Sequence, residues 1–336
     1  MELLRDKTEL LLALKMHLKE VKNIAITTHI NPDGDAIGST MGLMLTLKSL
    51  GYNAKVITPN AMPAFLNWLD PNNEIINAEE QKDLFQTTIE QAELIFCLDF
   101  NTLKRIEHVG HAVEKTTCKK VLVDHHQQPE EFDYMFAFPG ASSTCEIVFE
   151  MLKALEWKKY INSHAANSLY TGLMTDTGSF RYKGTTATTL RVASELVDLG
   201  ADPAAINERV NNASSLNRLK LLGFSLNEKL EIISGKGVAF IYLSKEDLAD
   251  FDYQPGDTEG LVNFPLGVDE IKVSVLIKEQ DNKIKFSFRS KGDISVNDFA
   301  RTYFDGGGHV NAAGGVSFDS WEATKTKFLN AVNEFF

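Results

Sequence analysis

The residues NIAITTHINPDGD, Asn23–Asp35, join a strand pattern to a loop whose side chains carry chemistry. Asn23–Thr28 is a short apolar run typical of a strand covered on both faces. His29 and the turn sequence NPDG follow, and Ile37–Leu50 then predicts a helix that Gly51 ends. A strand, a polar loop and a helix in this order predict the first unit of an α/β sheet.

The same alternation continues through the first half of the chain. Further strands are predicted at Ala54–Thr58, Leu94–Leu98 and Lys120–Val123. Helical patterns follow at Ser143–Leu155 and Ser163–Leu173. Strands that alternate with helices predict a mostly parallel sheet with helices on both faces.

The pattern changes in the second half. Thr185 to about Leu230 is helical, with a break near Gly200. Beyond it we expect a strand, an antiparallel hairpin and two helices, at Val238–Leu243, Ile271–Ile277 with Ile284–Arg289, Val296–Phe304 and Trp321–Phe335.

These patterns predict an α/β protein of two domains, in keeping with 336 residues at roughly 150 per domain. A catalytic domain with the parallel sheet is expected at residues 1–195, followed by a helical linker at 196–225. A smaller α/β domain with a mixed or antiparallel sheet is expected at 226–336.

The composition limits the compartment and the partners. A net charge of −12 disfavours a broad surface for long duplex nucleic acid, which needs a basic face. Cys97, Cys118 and Cys145 form no CxxC pair, as in reduced cytosolic proteins. Because no apolar run reaches the roughly 18–20 residues that span a bilayer, we expect a cytoplasmic protein with no membrane partner.

Residues of catalytic chemistry follow the predicted strands and one helix. They are His29, Asp33, Asp35, Asp99, Asp124, His125, His126 and Asp176. Ligands of open parallel sheets bind at the carboxyl ends of the strands, so these side chains are expected to meet at one edge. Converging carboxylates need positive charge between them, and the nearby loops offer only Arg105 and Arg181. Oxygen and nitrogen donors in this number suit two divalent cations, with Mn²⁺ preferred and Mg²⁺, Fe²⁺, Co²⁺ or Zn²⁺ compatible.

Each of these motifs taken alone also has an ordinary structural explanation. NPDG is a good turn sequence without any function, many strands end in an aspartate such as Asp99, and His125 with His126 could be structural. The same ligand types recur after three separate strands, and this recurrence favours the metal site.

The strings HINPDGDAIGS, CLDFN, VDHH and TDTGSFRY resemble, in order, the four motifs of the DHH phosphoesterase superfamily. Arg289-Ser290 and the string GGGHVNAAGG, Gly306–Gly315, resemble the associated C-terminal substrate-binding domain. The resemblance covers nearly the whole chain. Its size and the GGGH string are most similar to the bifunctional oligoribonuclease and pAp phosphatase branch.

The resemblance implies two cations that share Asp99, with His126 facing the scissile phosphate and Asp124 orienting the histidines. One cation would be held by His29, Asp33 and Asp99. The other would be held by Asp35, Asp99, His125 and Asp176. Two such cations would activate a water for in-line attack at phosphorus, so no nucleophilic side chain is expected.

The second domain is expected to select the substrate. Arg289 can bind phosphate oxygens with two donors, and the three glycines would let backbone amides approach a phosphate. The predicted substrate-binding residues are Arg289, Ser290, Gly306, Gly307, Gly308, His309, Arg105 and Asn263. Arg105 is equally well explained as a solvated residue at a helix end.

Together with these features, the resemblance implies hydrolysis of short single-stranded RNA oligonucleotides to 5′-mononucleotides and of the bisphosphorylated nucleoside pAp to AMP. A long strand would need a basic and aromatic track, for which the chain has no Lys/Arg cluster. Pyrophosphate, polyphosphate and the linear product of cyclic-dinucleotide breakdown remain alternatives, although Arg289-Ser290-Lys291 differs from the basic string of family II pyrophosphatases. A non-catalytic nucleotide-binding module and a metal-stabilised interaction protein are less favoured. A homodimer is left open.

Overall fold

The computed structural model describes residues 3–212 and 215–336. The chain divides into two compact units, Met1–Ala213 and Ser214–Phe336. This division falls inside the segment 196–225 predicted as a helical linker, whose limits stay a prediction.

The first unit is built on a parallel sheet. Within its described part, six strands lie in the order β3-β2-β1-β4-β5-β6, and every neighbouring pair is parallel. The strands are β1 (Asn23–Thr27), β2 (Asn53–Thr58), β3 (Ile76–Asn77), β4 (Leu94–Leu98), β5 (Lys119–Asp124) and β6 (Tyr134–Ala137). The predicted parallel sheet is confirmed.

Helices cover both faces of this sheet. Those described are α1 (Thr8–Leu18), α2 (Gly34–Ser49), α3 (Lys82–Gln91), α4 (Glu107–Lys115), α5 (Thr144–Ala154), α6 (Ser163–Asp176), α7 (Ala187–Asp198) and α8 (Pro203–Asn207). Side chains of α1, α2, α5 and α6 form one hydrophobic core, and those of α3 and α4 form another with the opposite face of the strands. The burial of both faces explains why the strands are continuous apolar runs.

Two helix ends differ from the sequence-based prediction, and both differences concern site residues. Helix α2 begins at Gly34 rather than Ile37, because Asp33 caps it by accepting hydrogen bonds from the amides of Asp35 (3.0 Å) and Ala36 (3.1 Å). Helix α6 continues to Asp176 rather than ending near residue 173. Asp33 and Asp176 are therefore held by helix ends and not by free loops.

The second unit is built on a mixed sheet, as predicted. Its described strands lie in the order β11-β12-β10-β9-β8-β7, with β8 and β9 parallel and the other pairs antiparallel. They are β7 (Leu230–Ile233), β8 (Val238–Leu243), β9 (Val273–Glu279), β10 (Ile284–Ser290), β11 (Gly307–His309) and β12 (Ala312–Ser317). The accompanying helices are α9 (Leu216–Glu228), α10 (Lys245–Asp250), α11 (Val296–Tyr303) and α12 (Trp321–Phe335).

Two hydrophobic clusters fill the second unit. Helices α11 and α12 pack on one face of the sheet, where Phe286, Phe288, Phe299, Phe304 and Phe328 are buried together. The second cluster lies around α9, α10 and the 3₁₀-helix Leu261–Gly267. None of the helices in the described residues is both long and apolar enough to cross a membrane.

Candidate active site

The carboxyl ends of β1, β4 and β5, which are neighbours in the sheet, carry the predicted histidines and aspartates. His29 follows β1, Asp99 follows β4 directly, and Asp124 is the last residue of β5. His125 and His126 come next. Parallel strands end at the same edge, so the topology brings these residues together.

His29, Asp33 and Asp99 form what we call the first ligand group. His29 Nε2 lies 3.4 Å from Asp99 Oδ2 and 3.9 Å from Asp33 Oδ1. His29 Nδ1 donates a hydrogen bond to the carbonyl oxygen of Ile30 (2.9 Å), which a carbonyl can only accept. The ring therefore presents an unprotonated Nε2 to the carboxylates whenever it is neutral.

Asp35, His125 and Asp176 form the second ligand group. His125 Nε2 lies 3.2 Å from Asp176 Oδ2 and 3.8 Å from Asp35 Oδ2. It also lies 3.5 Å from Asp99 Oδ1. These residues come from the start of α2, the end of β5 and the end of α6, so only the tertiary fold brings them together.

Asp99 connects the two groups. Its Oδ2 faces His29 and its Oδ1 faces His125, so each carboxylate oxygen belongs to a different group. The backbone of Asp99 adopts φ +63°, a left-handed conformation that costs a non-glycine residue roughly 1–2 kcal/mol. The amide of Asp99 still donates to the carbonyl of Val123 (3.1 Å), so the chain turns out of β4 without losing that hydrogen bond.

Beside the two groups lies a histidine held by a carboxylate. His126 Nδ1 donates to Asp124 Oδ1 at 2.7 Å, and Asp124 is fully buried. This hydrogen bond fixes the ring orientation, which is the role predicted for Asp124. The other oxygen of Asp124 is buried and has no hydrogen-bond partner among the described residues.

The predicted substrate-binding residues of the second unit lie at the β10-β12-β11 end of its sheet. Arg289 on β10 pairs with Ala312 on β12, which pairs with His309 on β11. Arg289 and His309 thus occupy one row of backbone pairs, separated only by a residue with a methyl side chain. Asn263 lies on the 3₁₀-helix of the neighbouring cluster.

The structure corrects the reason given for the glycine string. Gly307–His309 form strand β11, and the amides of Gly306 and Gly308 donate to Ala300 O (3.2 Å) and Asn297 Oδ1 (2.9 Å). Those two amides are therefore used inside the domain and not presented to a phosphate. A Cβ on Gly306 would lie 1.9 Å from the carbonyl oxygen of Gly314, so close strand packing requires glycine there.

Ser290 also has a structural function. Its hydroxyl donates to the carbonyl of Ile294 (2.6 Å) and accepts from the Asn311 amide group (2.9 Å). These contacts hold the turn after β10. The substrate-binding role of Ser290 stays a prediction.

Comparison with known proteins agrees with these motifs. Residues 23–173 match the profile of the DHH family, N-terminal domain, and residues 235–336 match the DHHA1 domain. The bifunctional oligoribonuclease and PAP phosphatase NrnA of Bacillus subtilis is 32% identical over 326 residues, which cover 94% of each chain. This chain belongs to the DHH family.

Three further proteins are similar to this DHH-family chain. The protein with the same name from Thermus thermophilus is 32% identical over 88% of this chain and 85% of its own length. The crystal structure of an exopolyphosphatase-related protein from Bacteroides fragilis superposes with a TM-score of 0.91 at 35% identity, covering 97% of this chain and 96% of that one. The manganese complex of RecJ from Thermus thermophilus, at 14% identity and a TM-score of 0.53, shares the fold over 98% of this chain and 54% of its own.

The pKa shifts of the aspartates in the DHH site indicate a shortage of positive charge around them. Burial and the negative charge of Asp99 raise the pKa of Asp35 to about 7. Burial and the nearby carboxylates also raise the pKa of Asp176 well above its ordinary value. Burial would raise the pKa of Asp99 as well, but hydrogen bonds to His125 and His29 outweigh it and lower that pKa. The buried carboxylates of the site thus carry more negative charge than the neighbouring histidines can neutralise.

The histidines respond in opposite directions. Burial lowers the pKa of His125, but the carboxylates of Asp99 and Asp176 outweigh it and raise that pKa well above the ordinary value. Burial and the positive charge of Arg105 lower the pKa of His126, against the effect of Asp124. The positive charge of Arg105 also acts to lower the pKa of His29. Its substrate-binding role stays a prediction.

The donor set fits divalent cations. Donors bound to one cation at about 2.1 Å are about 3–4 Å apart, and the nitrogen–oxygen distances in the two groups run from 3.2 to 3.9 Å. The groups mix carboxylate oxygen with imidazole nitrogen and contain no thiolate. Cations between the groups would also neutralise the charge that raises the pKa values of Asp35 and Asp176.

Sequence reasoning missed two residues that hold this site. Asn31, in the first loop, has φ +54°, and its amide donates to Asn60 Oδ1 (2.7 Å), while Asn60 Nδ2 donates to Asn31 Oδ1 (3.1 Å). Thr144, at the start of α5, contacts Asp35 and Asp99. Asparagine tolerates a positive φ better than most residues, but no local signal pointed to Asn60 or Thr144.

Proposed function

We propose that this DHH-family chain is a manganese-dependent phosphoesterase. Its substrates are short RNA oligonucleotides, cleaved to 5′-mononucleotides, and pAp, cleaved to AMP. The observation that carries the chemistry is Asp99, whose two oxygens each face a different histidine-containing ligand group. The substrate class follows from the names of the Bacillus and Thermus relatives, which align over most of this chain.

Each residue of the site has a separate role in the proposed hydrolysis. His29 and Asp33 would hold one cation, Asp35, His125 and Asp176 would hold the other, and Asp99 would contact both. Bound cations would supply an activated water and would neutralise phosphate oxygens, as in other two-metal sites. Asp124 keeps the His126 ring in place by accepting the Nδ1 hydrogen, and the ring would donate from Nε2 to the phosphoryl group only in its protonated form, which the growing negative charge of that group favours.

The second unit supplies a contact to the remainder of the substrate. Arg289 and His309, in one row across its sheet, offer a guanidinium and an imidazole to a second phosphate or to a ribose phosphate backbone. The net charge of −12 disfavours long strands, whose affinity depends on many phosphate contacts. A short substrate needs only these few.

Product analysis tests the proposal. Purified protein with Mn²⁺ is offered a 5′-phosphorylated RNA dinucleotide, pAp, pyrophosphate and an RNA of twenty nucleotides, with Asp99→Asn as the blank. We expect mononucleotide from the dinucleotide, AMP from pAp, and little product from the long RNA. A protein that binds Mn²⁺ and cleaves none of these substrates would contradict the proposed activity.

Polyphosphate is the second candidate substrate. The Bacteroides fragilis structure at 35% identity carries the description exopolyphosphatase-related, and the same ligand groups could serve a phosphoanhydride. Adding a polyphosphate of defined length to the same assay separates the two candidates. Phosphate release from polyphosphate without cleavage of the dinucleotide would replace the nucleotide assignment and leave the metal site unchanged.

A further inference from the structure

The N-terminus of α5 contacts two of the ligand carboxylates. The amide of Thr144 donates to Asp35 Oδ2 (2.6 Å), and the amide of Cys145 donates to Asp35 Oδ1 (2.9 Å). The Thr144 hydroxyl donates to Asp99 Oδ1 at 3.0 Å. A single residue thus touches a carboxylate of the second ligand group and the carboxylate shared by both groups.

The hydroxyl of Thr144 differs from those of the buried threonines on α2. Thr40 and Thr46, on α2, donate to carbonyl oxygens one turn earlier in their own helix, at 2.8 Å each. Because Thr144 is the first residue of α5, no such helical carbonyl precedes it. Its hydroxyl crosses instead to a carboxylate that lies 45 residues away in sequence.

These contacts limit how the carboxylates can move. Asp35 and Asp99 are 1% and 2% exposed, and Thr144 is fully buried. Each carboxylate oxygen bonded to α5 uses one lone pair and keeps the other for a cation. Asp99 Oδ1 is thereby fixed towards His125, so that Oδ2 remains on the His29 side.

The start of α5 is itself anchored. Ser143 caps the helix by accepting a hydrogen bond from the Glu146 amide (3.1 Å). The buried carboxylate of Glu146 accepts hydrogen bonds from the hydroxyls of Ser142 and Thr189, the second at 2.8 Å. Thr189 belongs to α7, so the position of Thr144 is tied to a second helix.

We propose that Thr144 is a positioning residue that holds Asp99 with one oxygen in each ligand group. Its hydroxyl sets the geometry of the shared carboxylate, while its backbone amide holds Asp35. This inference rests on the proposed metal site. Thr144 is therefore expected to affect the affinity for paired cations and kcat, and to have no effect on substrate binding.

The test compares Thr144→Val, Thr144→Ser and Thr46→Val. Valine keeps the shape and the backbone amide but removes the hydroxyl, serine retains the hydroxyl, and Thr46→Val makes the same change on α2 away from the ligands. Calorimetric titration of Mn²⁺ into metal-free protein measures stoichiometry and affinity. Electron paramagnetic resonance of the loaded protein reports whether the two Mn²⁺ ions are magnetically coupled.

We expect Thr144→Val to weaken binding of the second equivalent of Mn²⁺ by about 10–100-fold, the usual cost of losing an outer contact to a metal ligand. The coupled signal and kcat should fall together, with KM for the dinucleotide unchanged. Thr144→Ser should restore all three, and Thr46→Val should match the wild type. Thermal unfolding in EDTA verifies that each variant is folded.

The outcomes separate this inference from the proposed function. Wild-type protein that binds no paired Mn²⁺ would contradict the metal site itself. Wild-type binding together with unchanged affinity, coupling and kcat in Thr144→Val would overturn the role of Thr144 alone. A rise in KM without any change in Mn²⁺ affinity would also overturn it, since the hydroxyl would then act on the substrate.

Discussion

The two ligand groups are held in different ways. In the first, His29 and Asp33 come from the short segment between β1 and α2, where Asp33 caps the helix with a side chain that is 50% exposed. In the second, Asp35 and His125 come from different elements and are almost fully buried, with two amides of α5 on the Asp35 carboxylate. The first group depends on local loop geometry, and the second on the packing of helices against the sheet. Their cation affinities should therefore respond to different kinds of substitution.

The largest effect is expected at the residue that belongs to both groups. Asp99→Asn keeps a residue type that tolerates the left-handed backbone but removes the negative charge between His29 and His125. We expect kcat/KM for the dinucleotide to fall by about 1,000-fold or more, as for other central catalytic groups. Titration should show that both equivalents of Mn²⁺ bind more weakly. Retention of one site with wild-type affinity would mean that Asp99 serves a single cation.

A matched pair of substitutions compares the groups directly. Asp33→Asn retains a good helix cap with a similar side chain, and the exposed position leaves the fold undisturbed. Asp35→Asn places an amide NH₂ against the Thr144 or Cys145 amide, which leaves a buried donor without an acceptor and costs about 1–3 kcal/mol.

We expect both variants to lose activity, but only Asp35→Asn to lower the free energy of unfolding of the metal-free protein. Urea denaturation in EDTA measures this difference. Equal stability of the two variants would show that the helix contact to Asp35 contributes nothing to the metal-free fold.

A fourth substitution separates cation binding from substrate binding. Arg289→Ala removes a guanidinium that lies outside both groups, on β10 of the second unit. We expect KM for the dinucleotide to rise by about 10–100-fold, which corresponds to the roughly 1.5–3 kcal/mol of charged hydrogen bonds. Mn²⁺ affinity should stay the same. The exposed Arg191→Ala on α7 is the control, and an unchanged KM in Arg289→Ala would remove Arg289 from the substrate site.

The smallest effect is expected at Asn60, which supports only the first group. Asn60→Ala removes two hydrogen bonds to Asn31 in the loop that carries His29 and Asp33. We expect a few-fold loss of affinity for one equivalent of Mn²⁺. Asn53→Ala removes an amide contact to Asn23 at the opposite end of the strands and should have no effect. A loss of both equivalents would show that the groups are coupled through this loop.

Secondary-structure elements with a strong local sequence pattern were predicted more accurately than the others. The apolar runs of β1, β4 and β8 and the helix Trp321–Phe335 were predicted closely, because strand and helix periods are written in adjacent residues. Among the described strands the prediction missed β3, β6 and β7, which have two to four residues and show no period, and also β11 and β12, which overlap the glycine-rich string Gly306–Gly315. The predicted start of α2 lies three residues too late, because NPDG is typical of a turn and the sequence does not reveal that Asp33 caps the helix.

The chemical identity of the site was present in the linear order of residues. Histidines and aspartates after successive parallel strands must meet at one edge, whatever the details of packing, because all carboxyl ends lie on that side. This is why the sequence alone places His29, Asp99 and His125 together. The family resemblance of the same motifs then added the division into two cation sites.

Contacts between residues distant in sequence were beyond the reach of such reasoning. The split of the Asp99 oxygens, the amides of α5 on Asp35 and the Thr144 hydroxyl depend on ångström-scale distances between separate elements. The same holds for Gly306, which packs against the Gly314 carbonyl rather than opening a phosphate loop. The order of residues determines which side chains lie at the carboxyl edge of the sheet, whereas hydrogen bonds and packing between elements determine how each atom is oriented there.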